Sequence, residues 1–177
     1  MADIKNQKKK LPHRKPSKET LSGNAAGNNY YTTKLTAIRQ ILGGANVVPN
    51  SIQNEIDLVH LTRKGIHADA INSVSSFLGM SKSEMSEKIL HTKLRTIQRQ
   101  AKKPVLDIYK SEQTIEVASV IAKGLEFFRG DKQKLIRWLH LPILALGNKK
   151  PVELLDTTFG SQLVLRELER AQHGVYS

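Results

Sequence analysis

Cysteine is absent from the 177-residue chain, which excludes disulfides, thiolate zinc sites and a cysteine nucleophile. Histidine is sparse and scattered. The six, at positions 13, 60, 67, 91, 140 and 173, form no HxxxH or HExxH pair, so neither a metal site nor a metal cofactor is expected. Aromatics are few, with one Trp and four each of Tyr and Phe. No apolar run approaches the roughly 20 residues needed to span a bilayer, and the basic N-terminus lacks the apolar stretch of a signal peptide. These absences predict a soluble, cytoplasmic protein with no membrane partner. Catalytic groups are also missing: Asp156 with Thr157 and Asp131 with Lys132 read as helix caps, and no nucleophile–base set stands out. No enzymatic activity and no cofactor is expected.

What the chain does have is positive charge, a net +12, and it is concentrated. Residues 1–40 carry nine Lys or Arg against two acids, and residues 91–110 carry six against one. The remaining stretches nearly cancel. Such clustering is the footprint of a phosphate-backbone binder. The 39% apolar fraction is enough to build a core.

Along the chain the periodicity is helical throughout, so the expected fold is all-α. Residues 1–29, with Lys8-Lys9-Lys10 and few apolar residues, read as a disordered basic arm. Tyr31, Leu35, Ile38 and Leu42 form one face of a helix stopped by Gly43-Gly44, which needs a surface to dock on, a second subunit being one option. Ile56, Val59 and His60 start a short helix that Gly65 can end. Three helices follow. The first runs from about Ala68 to Leu78 and buries Ala70 or Ile71, Val74, Phe77 and Leu78. The second opens on the capping box Ser81-Lys82-Ser83-Glu84 and points Met85 and Ile89 inward. The third begins near Thr92 with Leu94 and Ile97 inside. It leaves Lys93, Arg95, Thr96, Gln98, Arg99, Lys102 and Lys103 outside.

Two short helices around a tight turn, the second basic on its outer face, have the helix-turn-helix arrangement. Residues 95, 98 and 99 could reach base edges while the flanking lysines hold phosphates. Residues 30–108 are therefore read as a helix-turn-helix DNA-binding domain.

Residues 109–177 are punctuated as a second domain. Ser111 is placed to cap a helix to Phe127 or Phe128 that buries Ile115, Ala118, Ala122 and Leu125. Gly130 breaks it, and Asp131 caps the next, with Leu135, Trp138 and Leu139 inside. Pro142 to Asn148 reads as a loop with an apolar middle. Pro151 opens a short helix, and Asp156 or Thr157 caps a last one that buries Val164, Leu168 and Ala171 before Gly174.

Several runs then align with a known pattern: Phe128-Arg129-Gly130-Asp131, Trp138-Leu139, Pro142, Ala145-Leu146-Gly147, Pro151, Leu154-Leu155-Asp156-Thr157, Gly160 and Gly174-Val175-Tyr176. Residues 122–177 resemble the toxin-binding domain of the Xre/MbcA/ParS antitoxins of bacterial type II toxin–antitoxin pairs. Lys64-Gly65-Ile66, Leu78-Gly79-Met80-Ser81 and Thr96-Ile97-Gln98-Arg99 are similar to the family's helix-turn-helix. The resemblance covers about residues 60–177 and departs where the family usually has Gly: here Leu90-His91 precedes the recognition helix, and Asn148 follows Gly147.

The resemblance implies a partner rather than a reaction. That partner is a Res-type toxin, similar to ADP-ribosyltransferases and acting on NAD, held in a hetero-oligomeric toxin–antitoxin complex. Toxin contacts would come from Arg166, Arg170, His173, Gly174, Val175, Tyr176 and Ser177, the last residues reaching the active-site entrance. Operator DNA would be held by a homodimer through residues 93–103. Two other functions remain compatible with the residues alone: a stand-alone helix-turn-helix regulator without a toxin, and an RNA- or ribosome-associated basic protein.

Overall fold

The computed structural model of the chain describes residues 34–48, 52–99, 104–172 and 174. The arm 1–29, Tyr31, Lys102, Lys103, His173, Val175, Tyr176 and Ser177 lie outside the described residues. Within them the chain is all-α. The helices are α1 (Lys34–Ile41), α2 (Glu55–Lys64), α3 (Ala70–Leu78), α4 (Lys82–Lys88), α5 (Leu94–Gln98), α6 (Ile108–Phe127), α7 (Lys132–Leu139) and α8 (Thr158–Gln172). Short 3-10 turns cover Gly44–Asn46, Leu144–Leu146 and Pro151–Leu154. Two isolated bridges, His67 with Val105 and Ile143 with Lys149, are the only extended pairings among the described residues.

α6 is the axis. Ile115, Val117, Ala118, Val120, Ile121, Ala122 and Leu125 are all buried on it. Each large aliphatic side chain among them contributes about 1.5–3 kcal/mol. α1, α2, α3, α7 and α8 all pack against this one helix. The buried residues from Ala37 to Leu168 consequently form one continuous core, and α6 draws on both sides of the 108/109 boundary.

One open choice is decided and two expectations are corrected. α1 docks within its own chain, on α6 and α3, burying Ala37, Ile38 and Ile41. Ser111 is not a cap: Asp107 caps α6 by accepting the Lys110 N–H at 2.9 Å, and the helix starts a turn earlier. Ser111, fully buried, instead accepts the Ile66 N–H and donates to the Leu106 carbonyl, both at 3.1 Å. It thereby clamps two loops that meet beside the His67–Val105 bridge. Finally, Phe77 and Ala171 are only half-buried, and Phe77 has the Lys132 ammonium 4.6 Å from its ring centre.

Gly79, expected as the stop of α3, has φ 68°, and an added Cβ would lie 2.6 Å from the Ile136 side chain. A residue without Cβ is needed there for both reasons. His140 Nε2 sits 2.8 Å from the Leu78 carbonyl, so α7 is held on the end of α3.

Candidate functional site

α8 begins where Thr157 Oγ1 accepts the Gly160 N–H at 3.1 Å, which settles the cap in favour of Thr157. Its inner face is Gly160, Ser161, Val164 and Leu168, all buried. A Cβ on Gly160 would stand 1.8 Å from the Leu154 carbonyl oxygen, so the helix lies directly on the Pro151–Leu154 turn. Gln113 of α6 donates its amide to the Leu155 carbonyl and fixes that turn from the other side.

The opposite face of α8 is bare. Phe159, Leu163, Arg166 and Arg170 fall at i, i+4, i+7 and i+11, one stripe down the helix. Phe159 is 81% exposed and Leu163 42%. Arg166 and Arg170 are exposed, and Arg170 pairs with Glu167 at 3.6 Å. The Leu144–Leu146 turn packs on α8 and adds Leu144, 85% exposed, with Leu141 nearby in sequence at 58%. At the far end Gly174 (φ 70°) donates to the Ala171 carbonyl and turns the chain out of the helix, next to residues 175–177.

The sequence reading named Arg166, Arg170 and Gly174, which the structure places on the outer face and at the end of α8; it did not name Phe159, Leu163, Leu141 or Leu144, whose exposure is a finding of the structure. An apolar residue reads by default as core. The available signal was the helical phase, which puts Phe159 and Leu163 with the arginines and opposite Val164 and Leu168. Trp138, by contrast, is half-buried, packed on the core and 6.2 Å from Phe128.

The second group of predicted residues sits on and around α5. Lys93, Arg95, Thr96, Gln98 and Arg99 are all exposed, while Ile97 is buried and Leu94 half-buried. Ile97 thus anchors a helix of only five residues. Ahead of it α4 is opened by the expected capping box: Glu84 N–H to Ser81 Oγ at 3.2 Å, and Ser81 N–H to Glu84 at 3.0 Å. The Ser81 backbone bond, reinforced by Lys88, holds the Glu84 carboxyl down to about 2. Between the helices His91 takes φ 48°, the left-handed turn a glycine would otherwise supply. Asn148 does the same at φ 60°. Both departures from glycine therefore keep the turn. His91 Nε2 also lies 3.7 Å from Asp156, at the entrance to α8.

Among the described residues no cluster of His, Asp or Glu could hold a metal ion, and no helix is long and apolar enough to cross a membrane.

Comparison with known proteins bears on the α8 face directly. Residues 124–174 match the family described as antitoxin Xre/MbcA/ParS C-terminal toxin-binding domain. Antitoxin Xre of Yersinia enterocolitica is 28% identical over 120 residues, covering 68% of this chain and 81% of that protein. Antitoxin Xre of Photorhabdus laumondii is 32% identical over 68 residues, 38% and 46% of the two chains. A Prs ADP-ribosylating antitoxin of Sphingobium sp. is 24% identical over 131 residues, 69% and 82%. α7, both later 3-10 turns and the whole exposed stripe of α8 fall inside the matched segment.

Proposed function

We propose that the chain, whose residues 124–174 match the Xre/MbcA/ParS C-terminal toxin-binding domain, neutralises a Res-type toxin acting on NAD and represses its own operon. The observation that carries the proposal is the uncovered stripe of α8. Phe159, Leu163 and Leu144 expose apolar surface that folding leaves in water, within a segment whose relatives bind a toxin. Burying one such side chain in an interface contributes about 1.5–3 kcal/mol. Arg166 and Arg170 continue the same stripe and lead to residues 173–177, which enter the toxin's active-site cleft and block its nucleotide site. An aromatic centre with arginines on one helix face has the composition of a binding hot spot. Inhibition then needs no chemistry by this protein, only occupancy. The Sphingobium relative is named for ADP-ribosylation, a reaction that uses NAD, which supports that toxin chemistry here.

Operator binding rests on α5. Arg95, Gln98 and Arg99 at i, i+3 and i+4 share one exposed face opposite Ile97. That face suits a helix-turn-helix reading the major groove, with Lys93, Lys102 and Lys103 holding phosphates. A homodimer would match two half-sites by symmetry.

The test is growth and cellular NAD in bacteria expressing the adjacent toxin gene. The toxin is expressed alone, with the full chain, with the chain ended after Gln172, or with Phe159→Asp. The reading requires rescue by the full chain and loss of rescue with Phe159→Asp. Rescue by the chain ended at Gln172 would assign inhibition to the α8 face alone. No rescue by the folded full chain would refute the antitoxin reading and leave a stand-alone DNA regulator.

A further inference from the structure

A groove of about 420 Å³ between α2 and α6 serves neither the toxin nor the DNA face. Its floor is apolar, built by Leu58, Val59, Ile108 and Ile115, and its rim carries Glu55, Glu112 and Glu116 together with Lys34 and Arg63. None of these three carboxylates has an ion-pair partner among the described residues. α2 contains no fully buried residue, and Ile56 and Tyr109, next in sequence to Glu55 and Ile108, are 62% and 80% exposed. Burial pushes the Glu116 carboxyl above its ordinary range, with Lys34 opposing the shift and Glu112 adding to it. The site is thus apolar at its base, with three carboxylates against the two cations Lys34 and Arg63 at its rim.

Two observations identify what fits it. Lys34, the first described residue, itself lines the groove, so residues 1–33 begin at its edge. That segment carries seven Lys or Arg against two acids, and at its near end stand Tyr30 and Tyr31. Tyr31 lies four residues before Leu35 and continues the stripe of Leu35, Ile38 and Leu42 that already packs in the core.

We propose that the groove between α2 and α6 is the docking site of the chain's own N-terminal segment, Tyr31 on the apolar floor and the arm's lysines against Glu55, Glu112 and Glu116. Charge and apolar contact both favour this occupant. The acidic rim and a nucleic-acid backbone then compete for the same lysines, so the arm is withheld until phosphates displace the carboxylates. The inference goes beyond the antitoxin reading and does not depend on it.

The absence of cysteine makes the test clean. In the full chain, Ser22→Cys carries a single nitroxide label, and amide signals are read by NMR on isotope-labelled protein diluted into excess unlabelled chain. The expected result is selective signal loss at Val59, Thr62, Glu112 and Ser119. It should be abolished by Glu55→Lys with Glu112→Lys, two exposed positions, and weakened by salt, which shortens the Debye length to about 3 Å at 1 M. Uniform or absent signal loss would overturn the proposal. So would loss seen only when label and isotope sit on different chains, which would make the occupant a second copy. Neither toxin nor DNA takes part, so the outcome is separate from the antitoxin test.

Discussion

Replacing Gly160 with alanine tests whether α8 is seated as closely as the structure shows. By helix propensity alone the change stabilises, since Gly is about 1 kcal/mol less favourable than Ala in a helix interior. Packing opposes it. The new Cβ would stand 1.8 Å from the Leu154 carbonyl oxygen and 2.8 Å from its carbon. Real Cβ contacts stay beyond 3.0 Å, so helix and turn must separate by about 1.2 Å. The obstacle is backbone, held from behind by the Gln113 amide on Leu155, and cannot rotate away. Overpacking of this kind costs about 1–3 kcal/mol, and more when nothing yields. The packing term exceeds the propensity term, and the expected net loss is about 1–2 kcal/mol. In urea that is a midpoint lowered by roughly 1 M at unchanged slope. Toxin affinity should fall further than stability, because the shift also displaces Phe159. A midpoint that stays put or rises would refute the reasoning.

Phe159→Ala should leave unfolding within about 0.5 kcal/mol of the parent, as for other surface changes, yet weaken toxin binding by about 2 kcal/mol, roughly 30-fold, in calorimetry. Lys93→Ala should weaken DNA binding uniformly across sequences and reduce the salt slope by about 1, whereas Gln98→Ala should cost about 1–3 kcal/mol on the operator only. Ser111→Ala strips the buried Ile66 N–H of its acceptor and should cost about 1–3 kcal/mol in urea unfolding. The Glu84 carboxyl is depressed in the folded chain, so its contribution is present above the unfolded value of 4.5 and is lost as pH falls toward about 2. Glu84→Gln should flatten that part of the stability–pH curve, measured by urea midpoints at stepped pH.

Helices that carry local signals were legible in the chain before any packing was known. Ser81 with Glu84, Asp131, Gly79, Pro151 and Gly174 each act within a few residues of their own position, and the structure has each doing what its chemistry implies. The phase of α8 was legible too, which is why Arg166 and Arg170 were identified as outward. The rest depends on long-range packing. Ser111 has the chemistry of a cap, and only the approach of Ile66 and Leu106, far away or out of phase in sequence, makes it a buried clamp. The face of α1 called for a partner surface without specifying whose, and α6 of the same chain supplies it. Phe159 and Leu163 read as core by residue type, and only their phase on α8 points them away from it. They are exposed because Gly160, Val164 and Leu168 seat α8 on the Leu154 carbonyl and turn the other side outward. Caps and periodicity are short-range effects written in neighbouring residues. Which apolar surface remains uncovered depends on how many elements compete for one core, and that is a property of the packed whole.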